Sequence, residues 1–285
     1  MNVHIYSADM SADATGHFEG KAVLVTGGGS GIGLGCARHL AEEGAAVTIC
    51  GRSEDRLKAG AEAIGHGAQY VVADVTVEDE IGAAIAAAAS TTGALDAVVA
   101  NAGATEALGP LPLIDAAAFE RDLRLNVIGT FLTIKRAAPA LAAAGGGSIV
   151  AVSSIAGVLT HRIMAPYSAS KAGMEMLVRN AADELGAYGI RVNAVRPGLV
   201  PTDTSDPLAS NELTRADYLA QMPLGRLGSV EDIAAAVAFL AGPDSTWITG
   251  QCIGVDGGHS LRRGPDLSGL VGGLFDDALA GVMGA

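Results

Sequence analysis

The chain has 285 residues, of which 49% are hydrophobic but only 4% aromatic, with 39 glycines and a formal net charge of −13. This apolar share is enough for a buried core and argues against disorder, no glycine-every-third period suggests collagen, and no basic stripe invites nucleic acid. The glycine excess, set against a usual share of about 7%, therefore points to backbone geometry in a globular fold.

The first 17 residues are polar and acidic, without the basic and apolar regions of a signal peptide. The longest apolar run, residues 81–89, falls short of the ~18 residues a membrane span needs. Cys36, Cys50 and Cys252 are isolated thiols at no metal-binding spacing, as expected of small buried hydrophobes in a reducing compartment. A soluble cytoplasmic protein that binds neither membrane nor metal is expected.

From Lys21 onward short apolar runs alternate with longer helical stretches. Strands are predicted at 22–26, 46–50, 70–73, 94–100, 148–152, 190–195 and 252–255. Near-continuous apolar runs suit parallel strands covered on both faces. Helices are predicted at 31–43, 53–64, 77–90, 116–144, 167–187 and 230–240, the last signalled by Ser229 before Val230 and Asp232 in its first turn. This alternation implies one α/β domain, a doubly wound parallel sheet of about seven strands with helices on both faces. The domain is expected to span 18–258, after a tail at 1–17 and before an extension at 259–285. Residues 199–228, with Pro201, Pro207 and Pro223 around a helical patch at 211–222, are too long for an ordinary connection and read as a substrate lid.

The first strand runs into Thr26-Gly27-Gly28-Gly29-Ser30-Gly31-Ile32-Gly33 and then a helix. Glycine lets the backbone turn sharply and approach a ligand, and the helix start presents free N–H groups to a diphosphate. A cofactor turn is therefore expected at the first βα unit, with the spacing TGxxxGxG in place of GxGxxG.

Later in the chain, Tyr167 and Lys171 lie four residues apart on a predicted helix, where their side chains share a face. A phenol with a pKa of about 10 is too weak a base near neutrality. A neighbouring lysine cation, helped by an oxidised nicotinamide, is expected to lower it. Tyr167 could then exchange a proton with an alcohol or carbonyl oxygen that Ser154, at the end of the fifth strand, holds in place.

These motifs together resemble the short-chain dehydrogenase/reductase family. Besides the glycine turn there are Asp74 with Val75 at the end of the third strand, Asn101-Ala102-Gly103 at the end of the fourth, and Asn126 in mid-helix. Ser154 precedes Tyr167 by thirteen residues, Lys171 completes YxxxK, Pro197-Gly198 with Val200 and Thr202 matches PGxxxT, and Asp256-Gly257-Gly258 closes the series. The resemblance runs from His17 to Gly258 and implies a Rossmann fold with strand order 3-2-1-4-5-6-7, commonly in a homotetramer. It implies catalysis by Ser154, Tyr167, Lys171 and Asn126, with Lys171 binding the nicotinamide ribose and Asn126 holding a proton-relay water. The expected cofactor contacts are Gly27, Gly29, Ser30, Gly31, Ile32 and Gly33, then Asp74, Val75, Asn101, Ala102 and Gly103, and finally Tyr167, Lys171, Pro197, Gly198, Val200 and Thr202.

The second strand ends at Gly51, where an enzyme preferring NAD usually has a carboxylate, and Arg52 follows. This favours NADP, with NAD as the alternative. Leu199, Leu208, Leu213, Tyr218 and Met222 of the lid, with Leu159 and Met164, suggest an apolar alcohol or ketone. His161 and Arg162, between Ser154 and Tyr167, could edge the pocket, but a solvated loop is the preferred reading. The expected activity is NAD(P)-dependent interconversion of a secondary alcohol and a ketone; the alternative is a non-catalytic dinucleotide sensor or scaffold. Ser168-Ala169-Ser170-Lys171 also spells the S-x-x-K of penicillin-binding enzymes, but its companion SDN and KTG motifs are absent. A dehydratase or epimerase on a related fold would carry TGxxGxxG and a longer C-terminal domain. In the extension, Leu270, Leu274 and Phe275 are candidates to cap a neighbouring subunit's pocket.

Overall fold

Strand β1 (Ala22–Thr26) is buried along its whole length, and its side chains divide between two cores by the two-residue period of a strand. Val23 and Val25 join one cluster and Leu24 the other. The same division recurs in the other central strands, which is why their sequence is apolar without interruption.

The computed structural model describes residues 17–261, 270, 273 and 275–283. Strands β1, β2 (Ala46–Gly51), β3 (Gln69–Val72), β4 (Ala97–Ala100), β5 (Gly147–Val152), β6 (Ile190–Pro197) and β7 (Cys252–Val255) form one sheet in the order β3-β2-β1-β4-β5-β6-β7. Every neighbouring pair is parallel. The fold class and strand order are those expected. Helices α1 (Gly31–Glu42), α2 (Glu54–Ile64) and α9 (Val230–Ala241) contribute to the first cluster, with Leu40, Leu57 and Val237 among the buried residues. On the other face lie α3 (Glu78–Ser90), α5 (Gly129–Ala143) and α6 (Ala165–Leu185), with Ile81, Leu141 and Met174 in the core. Fully burying one such side chain stabilises the fold by about 1.5–3 kcal/mol.

Three features differ from expectation. The stretch predicted as one helix at 116–144 is α4 (Ala116–Leu123), a wide π-type turn at Arg124–Ile128, and then α5. The wide turn holds Asn126, fully buried, and brings Gly129 so close to Val75 that a Cβ there would lie 2.7 Å from its side chain. Strand β4 begins at Ala97 rather than at 94, and just before it the Asp96 carboxylate accepts from Lys21 Nζ and the Ala22 N–H, both at 2.9 Å. Edge strand β3 is largely exposed rather than covered on both faces.

Between β6 and α9 lie α7 (Asp206–Ala209) and α8 (Glu212–Gln221). The start of α9 is a capping box, with Ser229 and Asp232 bonding each other's backbone N–H. Arg226 holds Asp232 through two hydrogen bonds, at 2.6 and 2.8 Å, and keeps its carboxyl well below the usual range. Among the described residues no helix is long and apolar enough to cross a membrane. Leu274 and the first 16 residues lie outside the described residues. Phe275 packs on its own chain, with its ring 3.3 Å from where a Gly109 Cβ would stand, and opens the helix Asp276–Met283.

Candidate active site

The strand order reverses between β1 and β4, and a doubly wound sheet opens a ligand crevice beyond the carboxyl ends of the strands at that point. A cavity of about 360 Å³ lies there, reached by the ends of β1, β4, β5 and β6 through Gly27, Asn101, Val152 and Pro197. A recess of about 340 Å³ adjoins it and shares Gly27, Ser30, Ala102 and Gly103.

Helix α1 begins at this crevice. Ser30 occupies its N-cap with no side-chain cap hydrogen bond, whereas Ser53, Asp115, Asn211 and Ser229 cap their own helices. The first-turn N–H groups of α1 are thus left to a ligand, with the positive end of the helix dipole behind them. The glycines keep the approach open, and a Cβ on Gly33 would lie 2.3 Å from the Gly27 carbonyl. Asn101 braces the turn by donating its side-chain amide to the carbonyls of Thr26 and Gly27, at 3.0 and 3.2 Å. Thr26 Oγ1 accepts the N–H groups of Asn101 and Ala102, both at 3.0 Å. A rigid diphosphate cradle with free donors fits a dinucleotide.

The recess continues past Gly51, Arg52, Ser53 and Arg56 on one side and Asp74 and Val75 on the other. One Asp74 oxygen accepts both the N–H and the hydroxyl of Thr76, each at 2.8 Å, which fixes the turn after β3. Arg56 was not singled out by sequence; its signal is its place in the first turn of α2, three residues after the Ser53 cap. In the larger cavity Ile32, Gly198, Val200 and Thr202 line the wall opposite Ala104. Gly198 packs on Asp256, whose carboxylate accepts the N–H groups of Gly258 and Ser260 at 2.9 and 2.8 Å. The closing DGG motif is therefore a structural brace for the cavity wall.

Ser154, Tyr167 and Lys171 meet on this cavity. Ser154 bonds the Tyr167 hydroxyl. Lys171, the next turn of α6, places its ammonium 5.6 Å from the Tyr167 ring centre and donates to the Val152 carbonyl at 2.8 Å. Burial pushes the Tyr167 phenol above its ordinary value; the Ser154 bond pulls it down, and the charge of Asp122 pushes it up. Lys171 is pushed down to about 8 by burial, against the charge of Glu175. The lysine is thus not the leading influence on the phenol that the spacing suggested: desolvation outweighs it, and both groups are driven toward their neutral forms.

Asn126 lies behind this wall. Its amide donates to the Ala104 carbonyl at 2.7 Å and to Ser170 Oγ at 3.1 Å, and Oδ1 accepts the Ala104 N–H at 3.2 Å. It ties the chain after β4 to the helix that carries Tyr167. Gly103 sits between the two, since a Cβ there would lie 2.6 Å from Asn126 Oδ1 and 3.2 Å from Lys171 Nζ.

The segment between β6 and α9 lines part of the cavity through Leu199, Leu208 and Tyr218. Leu199, Tyr218 and Met222 are buried in one cluster with Ile155 and Met164, and Leu159 and Leu208 pack against it. Leu213 does not belong to it and is 77% exposed. The solvated-loop reading is corrected for His161, which is 6% exposed and lines the cavity, whereas its neighbour Arg162 is exposed. His161 Nδ1 lies 3.1 Å from the Leu159 carbonyl, an acceptor, so that nitrogen carries the proton. Burial lowers its pKa, favouring the neutral ring. Tyr218, edge-on to His259 at 5.3 Å, is likewise kept neutral by burial.

Residues 27–260 match the family model described as enoyl-(acyl carrier protein) reductase. Cis-4-hydroxycyclohexanecarboxylate dehydrogenase of Sinomonas cyclohexanicum is 42% identical over 245 residues, covering 85% of this chain and 98% of that protein. L-rhamnose 1-dehydrogenase (NAD(P)(+)) of a Sphingomonas species is 38% identical over 249 residues, with 84% and 96% covered. The solved structure of a short-chain type dehydrogenase/reductase from Mycobacterium ulcerans aligns with a TM-score of 0.89 at 42% identity, covering 93% of this chain and 98% of that one.

Proposed function

Because the chain belongs to the short-chain dehydrogenase/reductase family and is an NAD(P)-dependent oxidoreductase acting on CH–OH groups, we propose that it interconverts a secondary alcohol and a ketone with Tyr167 as general acid/base. The observation that carries this reading is the joining of Ser154, Tyr167 and Lys171 on one cavity with the uncapped start of α1. A nicotinamide dinucleotide would supply or accept the hydride.

The chain's own residues do the rest. The α1 donors and the braced glycine turn bind the diphosphate. Ser154 donates to the substrate oxygen and holds it beside the Tyr167 hydroxyl. In oxidation Tyr167 takes the alcohol proton as the hydride leaves carbon; in reduction it returns that proton to the oxygen. Protonated Lys171 stabilises the phenolate and donates to the nicotinamide ribose. Asn126 fixes the loop and helix that flank the pair.

NADP is the preferred cofactor in this proposal. Gly51 stands where a carboxylate would bind the ribose 2′-hydroxyl, and Arg52 and Arg56 both line the recess. The substrate is a neutral, largely apolar alcohol or ketone. Among the described residues lining the cavity, Lys171 is the one lysine or arginine, and neutral His161 and Tyr218 provide no anchor for an anion. The reading extends to a cytoplasmic homotetramer with the domain limits given by the sequence. Supporting the assembly, Phe131 and Tyr188 are exposed beside an apolar groove between α5 and α6 that Leu177 also lines.

The test is hydride transfer, followed at the nicotinamide absorbance, over a panel of cyclic and open-chain alcohols and ketones with each cofactor. Turnover of neutral ketones, better with NADPH, is expected. No turnover across the panel would instead support a sensor, and turnover confined to charged hydroxy acids would overturn the substrate assignment.

A further inference from the structure

Glu175 stands one helical turn beyond Lys171 on α6 and is 2% exposed. A buried carboxylate is costly unless it is paired and fully hydrogen-bonded, and two other segments of the chain meet this need. Ser153, the residue before Ser154, donates its hydroxyl to Oε1 at 2.8 Å. Arg196, the residue before Pro197-Gly198, grips both oxygens, Nε to Oε1 at 2.6 Å and Nη2 to Oε2 at 2.5 Å. Arg196 is itself anchored by donating Nη1 to the Cys252 carbonyl at 2.9 Å. The turn after Ser154 also closes on this carboxylate, since a Cβ on Gly157 would lie 2.7 Å from Oε1.

One carboxylate thus joins the strand end carrying Ser154, the helix carrying Tyr167 and Lys171, and the strand end leading to the Pro197 loop. Its charge also acts on Lys171, four residues earlier on the same helix. We propose that Glu175 is a positioning residue whose pairing with Arg196 sets how firmly Lys171 holds its proton. The inference rests on the reading of Lys171 as a cofactor-binding cation.

The argument is electrostatic. Glu175 favours the Lys171 cation, against the cost of burial. Arg196 pairs with both Glu175 oxygens, which lessens the negative charge that Lys171 feels. Arg179 adds a weaker cation at 3.9 Å from Oε2. The other groups around Lys171 are Tyr167 on its own helix, the Val152 carbonyl at the end of β5, Ser154 just beyond it, and Asn126 behind Gly103; Asp122 acts on Tyr167, Asp256 on Arg196, and the Cys252 thiol faces Glu175, Arg196 and Arg179. None of the groups around Lys171 bonds Glu175. Removing the carboxylate charge should therefore weaken the hold on the Lys171 proton, and removing Arg196 should strengthen it.

Two variants with opposite expected signs test this. NADPH affinity is measured by calorimetric titration of the full chain from pH 6 to pH 10, alongside kcat/KM for the cofactor. In Glu175→Gln the alkaline break in both quantities should move down by half a pH unit or more. In Arg196→Gln it should move up, and Arg196→Lys should restore it to the wild-type position. If Arg196→Gln does not fold, Ser153→Ala takes its place, because removing one donor also leaves more of the Glu175 charge to Lys171. Breaks that stay fixed, or move in the same direction in both variants, overturn the proposal. If wild-type affinity has no alkaline break at all, the reading of Lys171 fails first, and the two failures are thereby told apart.

Discussion

Lys171 holds its ammonium 5.6 Å from the centre of the Tyr167 ring while donating to the Val152 carbonyl at 2.8 Å. The cation is therefore fixed by the backbone of β5 and does not depend on the phenol for its place. Because burial lowers its pKa to about 8, Lys171 loses its proton well before an exposed lysine would. In the proposed mechanism the cation supports the phenolate and the ribose below that pH, and the support is lost above it. The free enzyme should thus show kcat/KM for the cofactor falling on the alkaline side with a break near pH 8. A profile flat to pH 10 would contradict this.

Gly103 separates Asn126 from Lys171 in a space with no room for a methyl group. Gly103→Ala should displace one of the two, costing about 1–3 kcal/mol of stability as overpacking does. Cofactor affinity should fall with it. Thermal unfolding and NADPH titration of this variant check both effects, and unchanged stability and affinity would mean that the space beside Gly103 is not as tight as this packing implies.

Arg52 and Arg56 line the recess beside Gly51, and both are exposed. Charge-assisted hydrogen bonds to phosphate contribute about 1.5–3 kcal/mol when well formed, and exposure reduces this. Arg52→Ala and Arg56→Ala should each raise the KM for NADPH roughly tenfold while leaving that for NADH nearly unchanged. Equal effects on the two cofactors would remove the basis for the NADP preference.

Cys36 and Cys50 are buried, and burial pushes both thiols up to about 12. Cys252 is only half buried, and although burial also raises its thiol, reagent can reach it. Alkylation of the native protein near pH 8 should therefore modify Cys252 alone, as read by intact-mass and peptide analysis, with all three reacting after denaturation. Rapid native labelling of Cys36 or Cys50 would show that their core opens far more readily than its packing implies.

Much of this architecture was legible in the residues because local rules and global fold agree. The uninterrupted apolar runs of β1 and β5 can sit only in a sheet covered on both faces, and the glycine turn after Thr26 has one geometry compatible with a helix starting at Gly31. The i, i+4 spacing of Tyr167 and Lys171 survives as a shared cavity wall. What escaped depends on contacts distant in sequence. The helix predicted at 116–144 carries no local breaker at Arg124–Ile128, and its wide turn follows from the burial of Asn126 against Ala104 and Ser170. His161 does lie in a loop, and nothing local to it signals that the loop is packed against the cavity and buried there. Leu213 looked like lid core because periodicity does not say which side of α8 faces inward. Glu175 carried no signal of its own, since its partners Ser153 and Arg196 come from two other strands.

The central claim, that Tyr167 moves the proton as hydride moves at carbon, is tested most directly by single-turnover hydride transfer in Tyr167→Phe. The phenyl ring keeps the packing and loses only the hydroxyl. The account predicts a fall in rate of about 10²–10⁴-fold, the usual contribution of a positioned acid/base, with NADPH binding and thermal stability close to wild type. Hydride transfer at an undiminished rate in that variant would contradict it.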